Sequence, residues 1–206
     1  MTLATRNTST AKQLLRKRML ADRERLPVEA RAGKNIAITG LLRKLPHYVD
    51  ADAVLGYLNF GSEYASELWV QQVLADGKKL ALPRVNHHTN RLELYWVEDL
   101  EEQIAEGTWK IREPIVERCQ RLLGLNEVEF MLLPGVAFSR NGGRLGYGGG
   151  YYDKLLAVPE PAPVLVAAAF AMQVVDHVPM EVGDRRVEWL VTENETIQCA
   201  VAGTRG

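Results

Sequence analysis

Cysteine is scarce in this chain of 206 residues, with only Cys119 and Cys199, far apart and not in a C-x-x-C pair. That excludes a cysteine zinc site, argues against a disulfide framework, and leaves two free thiols. Histidine is also sparse. His47, His87, His88 and His177 form no H-E-x-x-H, so a zinc hydrolase of that kind is excluded. There is no G-x-S-x-G nucleophile elbow and no Walker A loop. No long apolar run exists: the longest, 164–172, is too short to cross a bilayer. The N-terminus has no apolar core of signal-peptide length. It is rich in hydroxyl residues and arginine, with no acid before Asp22, which gives it a faint transit-peptide flavour. Charge of one sign is lacking too. Lys plus Arg number 25 against 26 Asp plus Glu, for a net charge of -1 and a pI near 6.4. That balance gives no reason to expect nucleic acid or an anionic membrane as a partner. The expectation is a cytoplasmic, soluble monomer acting on small molecules.

What is present is an ordinary globular composition, 47% apolar and 25% charged. The length suits one domain over 10–206 behind a flexible polar tail, 1–9. Thr10 is placed to cap a helix over 11–25 with Leu14, Leu15, Met19 and Leu26 as its apolar residues. Pro27 opens a second helix with Ile38, Leu41, Leu42 and Leu45 on one face. Residues 53–58 (AVLGYL) and 79–83 (KLALP) read as strands around a helix at 65–76 that Gly77 ends. Strand, helix, strand with short loops implies a parallel pair. Residues 91–97 alternate as a more exposed strand, and 98–106 are helical or looped. Further strands fall at 129–133, 164–170 and 187–191, the second apolar throughout and so buried on both faces. The sum is an α/β fold: three layers, α/β/α, with a mostly parallel open sheet and helices on both faces.

Chemistry concentrates in PGVAFSRNGGRLGYGGGYYDKLL, residues 134–156. Asn141-Gly142 predicts a hairpin with a type I′ turn, positive φ at both central residues, and Arg144 on the return strand. Gly146-Tyr147-Gly148-Gly149-Gly150 then opens a helix at Tyr151. Four glycines in five residues offer close backbone approach rather than packing. N–H groups at a helix start suit phosphate, Arg144 adds a planar cation, and Asp153 suits a magnesium ion. A Gly-rich surface loop with nothing bound is the plainer alternative. On the residues alone, Lys12 and Arg16 read equally as a solvated basic face, Glu63 as an exposed loop acid, Asp184 as a turn residue.

The block RLGYGGGYYDKLL, preceded by LLPGVAFSRNGG, resembles the signature of the 5-formyltetrahydrofolate cyclo-ligase (methenyltetrahydrofolate synthetase) family. KQLLRKRM, LGYLNFGSEYASELW, WKIREP and HVPMEVGDRRVEWLVT resemble weaker blocks of it, so the likeness runs over 11–195. The resemblance implies ATP contacts from Lys12, Arg16, Arg144, Leu145, Gly146, Tyr147, Gly148, Gly149, Gly150, Tyr151 and Tyr152. It implies folate contacts from Leu58, Glu63 and Tyr147 through Tyr151, with Trp109 stacking on a ligand ring or packing as a half-buried tryptophan. Asp153 and Asp184 match magnesium ligands, and Arg144 and Tyr151 are the expected catalytic residues. Ser139, Gly149 and Glu188 stand where relatives often carry an acid, a lysine and an aspartate. The implied reaction takes ATP and 5-formyltetrahydrofolate, polyglutamylated or not, with Mg2+, to 5,10-methenyltetrahydrofolate, ADP and phosphate. The alternatives are a non-catalytic nucleotide- or folate-binding relative, or another phosphate-handling enzyme on a similar sheet.

Overall fold

A computed structural model describes residues 3–107, 110–157 and 162–199. Trp109 falls outside them. Helices α1 (Leu3–Glu24), α2 (Val28–Leu42) and α3 (Pro46–Asp50) come first. α1 begins at Leu3, so residues 3–9, expected as a flexible tail ahead of a helix from Ala11 capped by Thr10, are helical. The intervening residues contain no glycine or proline, and extending an existing helix costs far less than nucleating one. β1 (Ala53–Leu55), α4 (Ser66–Ala75), β2 (Lys79–Asn86) and β3 (Arg91–Val97) follow. Then come α5 (Leu100–Gln103), β4 (Ile104–Glu106), β5 (Arg112–Pro114), β6 (Arg121–Leu122) and β7 (Phe130–Leu133). The chain continues through β8 (Ala137–Ser139), β9 (Arg144–Leu145), α6 (Tyr151–Leu155), β10 (Val164–Ala168), β11 (Val174–Val175), β12 (Trp189–Val191) and β13 (Thr196–Gln198).

The main sheet has the order β13-β12-β10-β7-β1-β2-β3-β6. Its centre, from β12 to β2, is parallel throughout, and antiparallel strands close both edges. From β1 the chain moves to β2 on one side and later returns to β7 on the other. Strand order therefore reverses at the β1–β7 pair, where a crevice opens beyond the carboxyl ends.

The period-two alternation of strands sorts their side chains into two cores. Val54, Leu80, Leu82, Phe130, Leu132 and Val166 face α2, α3 and α4. There Tyr48, Trp69 and Phe130 stack pairwise with ring centres 5.7 Å apart. Leu55, Ala81, Met131, Leu133, Leu165 and Ala167 face the other way, against Tyr152 and Leu155 of α6 and Leu156 just beyond it. The α/β reading with helices on both faces therefore holds. On the second face the helical cover is short, and a small sheet, β11-β8-β9, extends it through Phe138. α1 packs on that small sheet, with Met19 against Val136, Ala137 and Leu145.

Several strands are shorter than the apolar runs that announced them. β1 stops at Leu55, and after Gly56 N donates to Ala81 O at 2.9 Å the chain turns off the sheet. β10 likewise stops at Ala168. The strand expected over 187–191 is β12, and β13 pairs beyond it. Residues 98–106 divide into α5, whose first N–H groups are capped by the Asp99 carboxylate, and β4 of a two-stranded ribbon with β5.

The hairpin differs in turn type. Ser139 N donates to Gly143 O and Gly142 N to Ser139 O, so three residues span the turn and only Gly142, at φ +82°, is left-handed. The expected type I′ turn is replaced by a type I turn closed by a left-handed glycine. Asn141 escapes positive φ because its side chain accepts from Ser139 Oγ at 2.7 Å and Gly143 N at 3.4 Å. A Cβ on Gly142 would lie 2.3 Å from Val187 O, so only glycine docks here.

Candidate active site

Two cavities share Arg144, Gly150 and Asp153; the second opens at the carboxyl ends of β1, β2 and β7, and the first lies between α1 and the glycine loop. The first, about 360 Å3, is polar. Lys12, Gln13 and Arg16 of α1 line one wall, Arg144, Gly146, Gly148 and Gly150 another, and Asp153, Glu181 and Asp184 the floor. Lys12 and Arg16 share a helical face by their i, i+4 spacing. Lys12 Nζ lies 2.6 Å from Asp184 Oδ2 and 3.2 Å from Glu181 Oε2. Arg16 Nε donates to Gly146 O at 2.7 Å, and Arg16 has no carboxylate partner among the described residues. The loop beneath it carries Gly148 at φ +107° and Gly150 at φ +66°, conformations that side chains resist. Because α6 is only five residues long, little positive charge comes from its dipole, and the cations carry the electrostatics.

The second cavity, about 660 Å3, is mostly apolar. Tyr57 and Leu58 just past β1, Pro83 and Val85 of β2, and Leu92 of β3 form one wall. Tyr147, Gly149, Tyr151 and Tyr152 also line it, and Glu63, Glu113 and Asp153 are its acids. Glu63 is 93% shielded from solvent, and its Oε2 accepts from Phe60 N at 2.7 Å. Burial pushes its carboxyl above the ordinary value, while the Phe60 N–H, the Tyr147 hydroxyl and the Arg23 charge oppose the shift. Burial, then the Glu63 charge, likewise raises the Tyr147 and Tyr152 phenols.

Arg144 joins the cavities. With Gly150 and Asp153 it lines both. Its side chain is 3% exposed, Nη2 donates to Asp153 Oδ1 at 2.7 Å, and Nη1 points at Pro134 O at 3.4 Å. Its buried Nε has no partner among the described residues. A planar cation with a donor in reserve, fixed between two cavities, can steady charge passing from one to the other.

Most residues expected from the sequence converge here. Lys12, Arg16, Arg144, Leu145, Gly146, Gly148 and Gly150 line the polar cavity, and Leu58, Glu63, Tyr147, Gly149, Gly150 and Tyr151 the apolar one. Tyr147, Gly149, Tyr151 and Tyr152 touch only the apolar cavity, and Gly148 only the polar one, so the dual contacts expected of the loop separate by position. Asp153 and Asp184 lie close together, since Arg185 N reaches Asp153 Oδ1 at 3.5 Å. Among the described residues no group of three or more acids, histidines or cysteines is arranged as a metal site. Glu188 serves the fold, accepting from Leu165 N at 3.1 Å.

Sequence reasoning missed Tyr57, Val85, Leu92, Arg112 and Glu113 of the apolar wall, and Arg23 behind it. Arg23 had a signal: Lys12, Arg16, Met19 and Arg23 follow i, i+4, i+7, i+11, a single helical face.

The raised Glu63 carboxyl carries a stability prediction. The native state holds this proton more tightly than the unfolded chain, so Glu63 costs nothing at low pH. The cost grows as pH rises from the unfolded value, about 4.3, through the higher folded one, and is then constant. Glu63→Gln should therefore raise the melting temperature at neutral pH, with the difference from the parent vanishing below about pH 4. Thermal melts across pH test this; a variant less stable than the parent at neutral pH contradicts it.

The sequence model of the 5-formyltetrahydrofolate cyclo-ligase family matches residues 8–193. The mouse (Mus musculus) 5-formyltetrahydrofolate cyclo-ligase is 24% identical over 193 residues, covering 90% of this chain and 95% of that protein. The Escherichia coli K12 protein of the same name is 28% identical over 151 residues, covering 73% and 82%. The NMR structure of the Aquifex aeolicus 5,10-methenyltetrahydrofolate synthetase superposes with a TM-score of 0.81 at 31% identity, over 95% of each chain.

Proposed function

The chain belongs to the 5-formyltetrahydrofolate cyclo-ligase family, and from that premise we propose that it converts 5-formyltetrahydrofolate and ATP into 5,10-methenyltetrahydrofolate, ADP and phosphate. The observation that carries the reading is the pair of cavities meeting at Arg144, Gly150 and Asp153. A polar cavity with three basic side chains suits a triphosphate, and an apolar one lined by tyrosines with the buried Glu63 carboxylate suits a pterin. Leu58, Tyr147, Gly149 and Tyr151 hold the folate, whose amino-bearing ring donates to Glu63. Lys12, Arg16, Arg144 and the glycine loop hold the phosphates.

A formamide oxygen is a poor leaving group. Phosphorylation converts it to an imidate phosphate, N10 attacks the formyl carbon, and phosphate departs as the ring closes. The protein's part is alignment across the seam and stabilisation of charge on the transferring phosphoryl group, which falls to Arg144. Tyr151, on the folate wall, fixes the formyl group toward that seam. The chain needs no protein nucleophile.

Magnesium is part of the proposal. Lys12, Arg16 and Arg144 face Asp153, Glu181 and Asp184, so a polyphosphate entering the cavity brings negative charge that the side chains alone leave unbalanced. Asp153 and Asp184 supply the hard oxygen donors that magnesium prefers, and Asp153 Oδ2 makes no hydrogen bond among the described residues. When bound, the metal neutralises phosphate charge. We also read the protein as a single-domain cytoplasmic monomer without nucleic-acid or membrane partners; no described helix is long and apolar enough to cross a membrane.

Growth of the methenyl-folate absorbance with purified protein, magnesium, ATP and 5-formyltetrahydrofolate tests the reaction. ATP-dependent growth is expected. Silence from a folded sample beside a working control enzyme overturns it in favour of a non-catalytic binding relative.

A further inference from the structure

The mechanism leaves one buried cation without a task. Arg23, on α1, is 98% shielded from solvent, yet no carboxylate lies within ion-pair distance of it among the described residues. Its Nη2 donates to the Tyr147 hydroxyl at 2.7 Å and its Nε to Ser62 Oγ at 3.1 Å. Its guanidinium carbon lies 5.8 Å from the Tyr147 ring centre, and Nη1 is buried without a partner among the described residues. A desolvated guanidinium with no direct counter-ion is costly, so the fold has to offset it elsewhere.

Glu63 offsets part of that cost, although burial of the carboxylate outweighs the attraction and keeps its proton tightly held. The Tyr147 hydroxyl stands between the two, receiving from Arg23 and bearing on the Glu63 carboxylate. Three separate elements are tied in this way: α1, the loop after β1, and the glycine loop. Without Arg23, the loop tyrosine, half-exposed at 44%, has no anchor of comparable strength. The carboxylate then keeps the Phe60 N–H but loses the second hydrogen bond that orients it and the positive charge that Arg23 lends it.

We propose that Arg23 is a positioning residue for the folate cavity, its guanidinium fixing the Tyr147 hydroxyl so that Glu63 is held in the orientation that receives the substrate ring. This rests on the reading of the apolar cavity as the folate site. It acts through Tyr147 and Glu63, because Arg23 itself does not line either cavity. It also separates two duties along one helix. Lys12 and Arg16 serve the nucleotide end of α1, and Arg23 serves the folate end.

The test uses the full chain with Arg23→Met, Arg23→Lys, Tyr147→Phe and the Arg23→Met/Tyr147→Phe double variant, measuring KM for each substrate separately and the melting temperature of each. Arg23→Met should raise KM for 5-formyltetrahydrofolate about tenfold or more, with KM for ATP changed by less than about twofold. Arg23→Lys, which keeps the charge, should recover most of that loss. Tyr147→Phe should give a defect of similar size, and the double variant should be no worse than the worse single one, because the residues act as a unit. Equal rises in both KM values, no rise at all, or effects that multiply in the double variant overturn the proposal. If Arg23→Met fails to fold, Tyr147→Phe still decides it through the same split in KM, because it removes the hydroxyl through which Arg23 acts. Failure of the parent protein to turn over would instead sink the folate reading, which keeps the two failures distinct.

Discussion

Arg144→Met should lower kcat by about a thousandfold or more, the scale seen when a fixed cation or donor at a developing phosphoryl charge is removed. The residue is almost wholly buried, held at one end by Asp153 at 2.7 Å and reaching both cavities. The guanidinium lies 6.0 Å from the Tyr152 ring centre, so a planar group is clamped in one orientation. Arg144→Lys should recover little, since an ammonium replaces the fork by a point charge and cannot hold Asp153 while turning to a phosphate. Substrate KM values should move much less than kcat. The melting temperature should fall by no more than a few degrees, because Asp153 retains a third of its side-chain exposure and can be hydrated. Turnover within about tenfold of the parent would remove Arg144 from the mechanism.

The second large effect is expected at Asp153. Asp153→Asn keeps the shape and leaves an oxygen to accept from Arg144, but removes the charge. It should lower kcat about a hundredfold and raise the Mg2+ concentration for half-maximal rate by about tenfold or more, at least the scale seen when a group supporting a metal ligand is lost. KM for the folate should barely change. Titration of activity against Mg2+ separates this from a general loss of fold. An unchanged Mg2+ requirement would move the metal away from Asp153.

The glycine loop, Arg144 and Asp153 were legible because their chemistry is local. Glycines at 146 and 148–150 ahead of a helix can be seen without knowing the fold. Strand positions were legible for a similar reason, since β7 and β10 are continuous apolar runs that stay buried on both faces. Their ends were not legible. The run AVLGYL continues past the point where the chain leaves the sheet, because Tyr57 and Leu58 are buried in the cavity wall rather than the ladder. Apolar periodicity records burial and cannot tell a strand from a pocket lining. Arg23 was overlooked for the opposite reason. Charge on a helix reads as solvated unless a partner is known, and its partners, Ser62 and Tyr147, are distant in sequence. The turn at Asn141-Gly142 was misjudged because its dipeptide favours one hairpin type, while the Asn141 side chain, accepting from Ser139 and Gly143, settles another.

The most direct measurement follows an oxygen atom. Phosphoryl transfer across the Arg144 seam to the formyl oxygen means that this oxygen must leave with phosphate. With 5-formyltetrahydrofolate labelled with heavy oxygen at the formyl group, the inorganic phosphate released with each methenyl product should carry the label. Unlabelled phosphate, with the heavy oxygen found in water instead, would contradict the account.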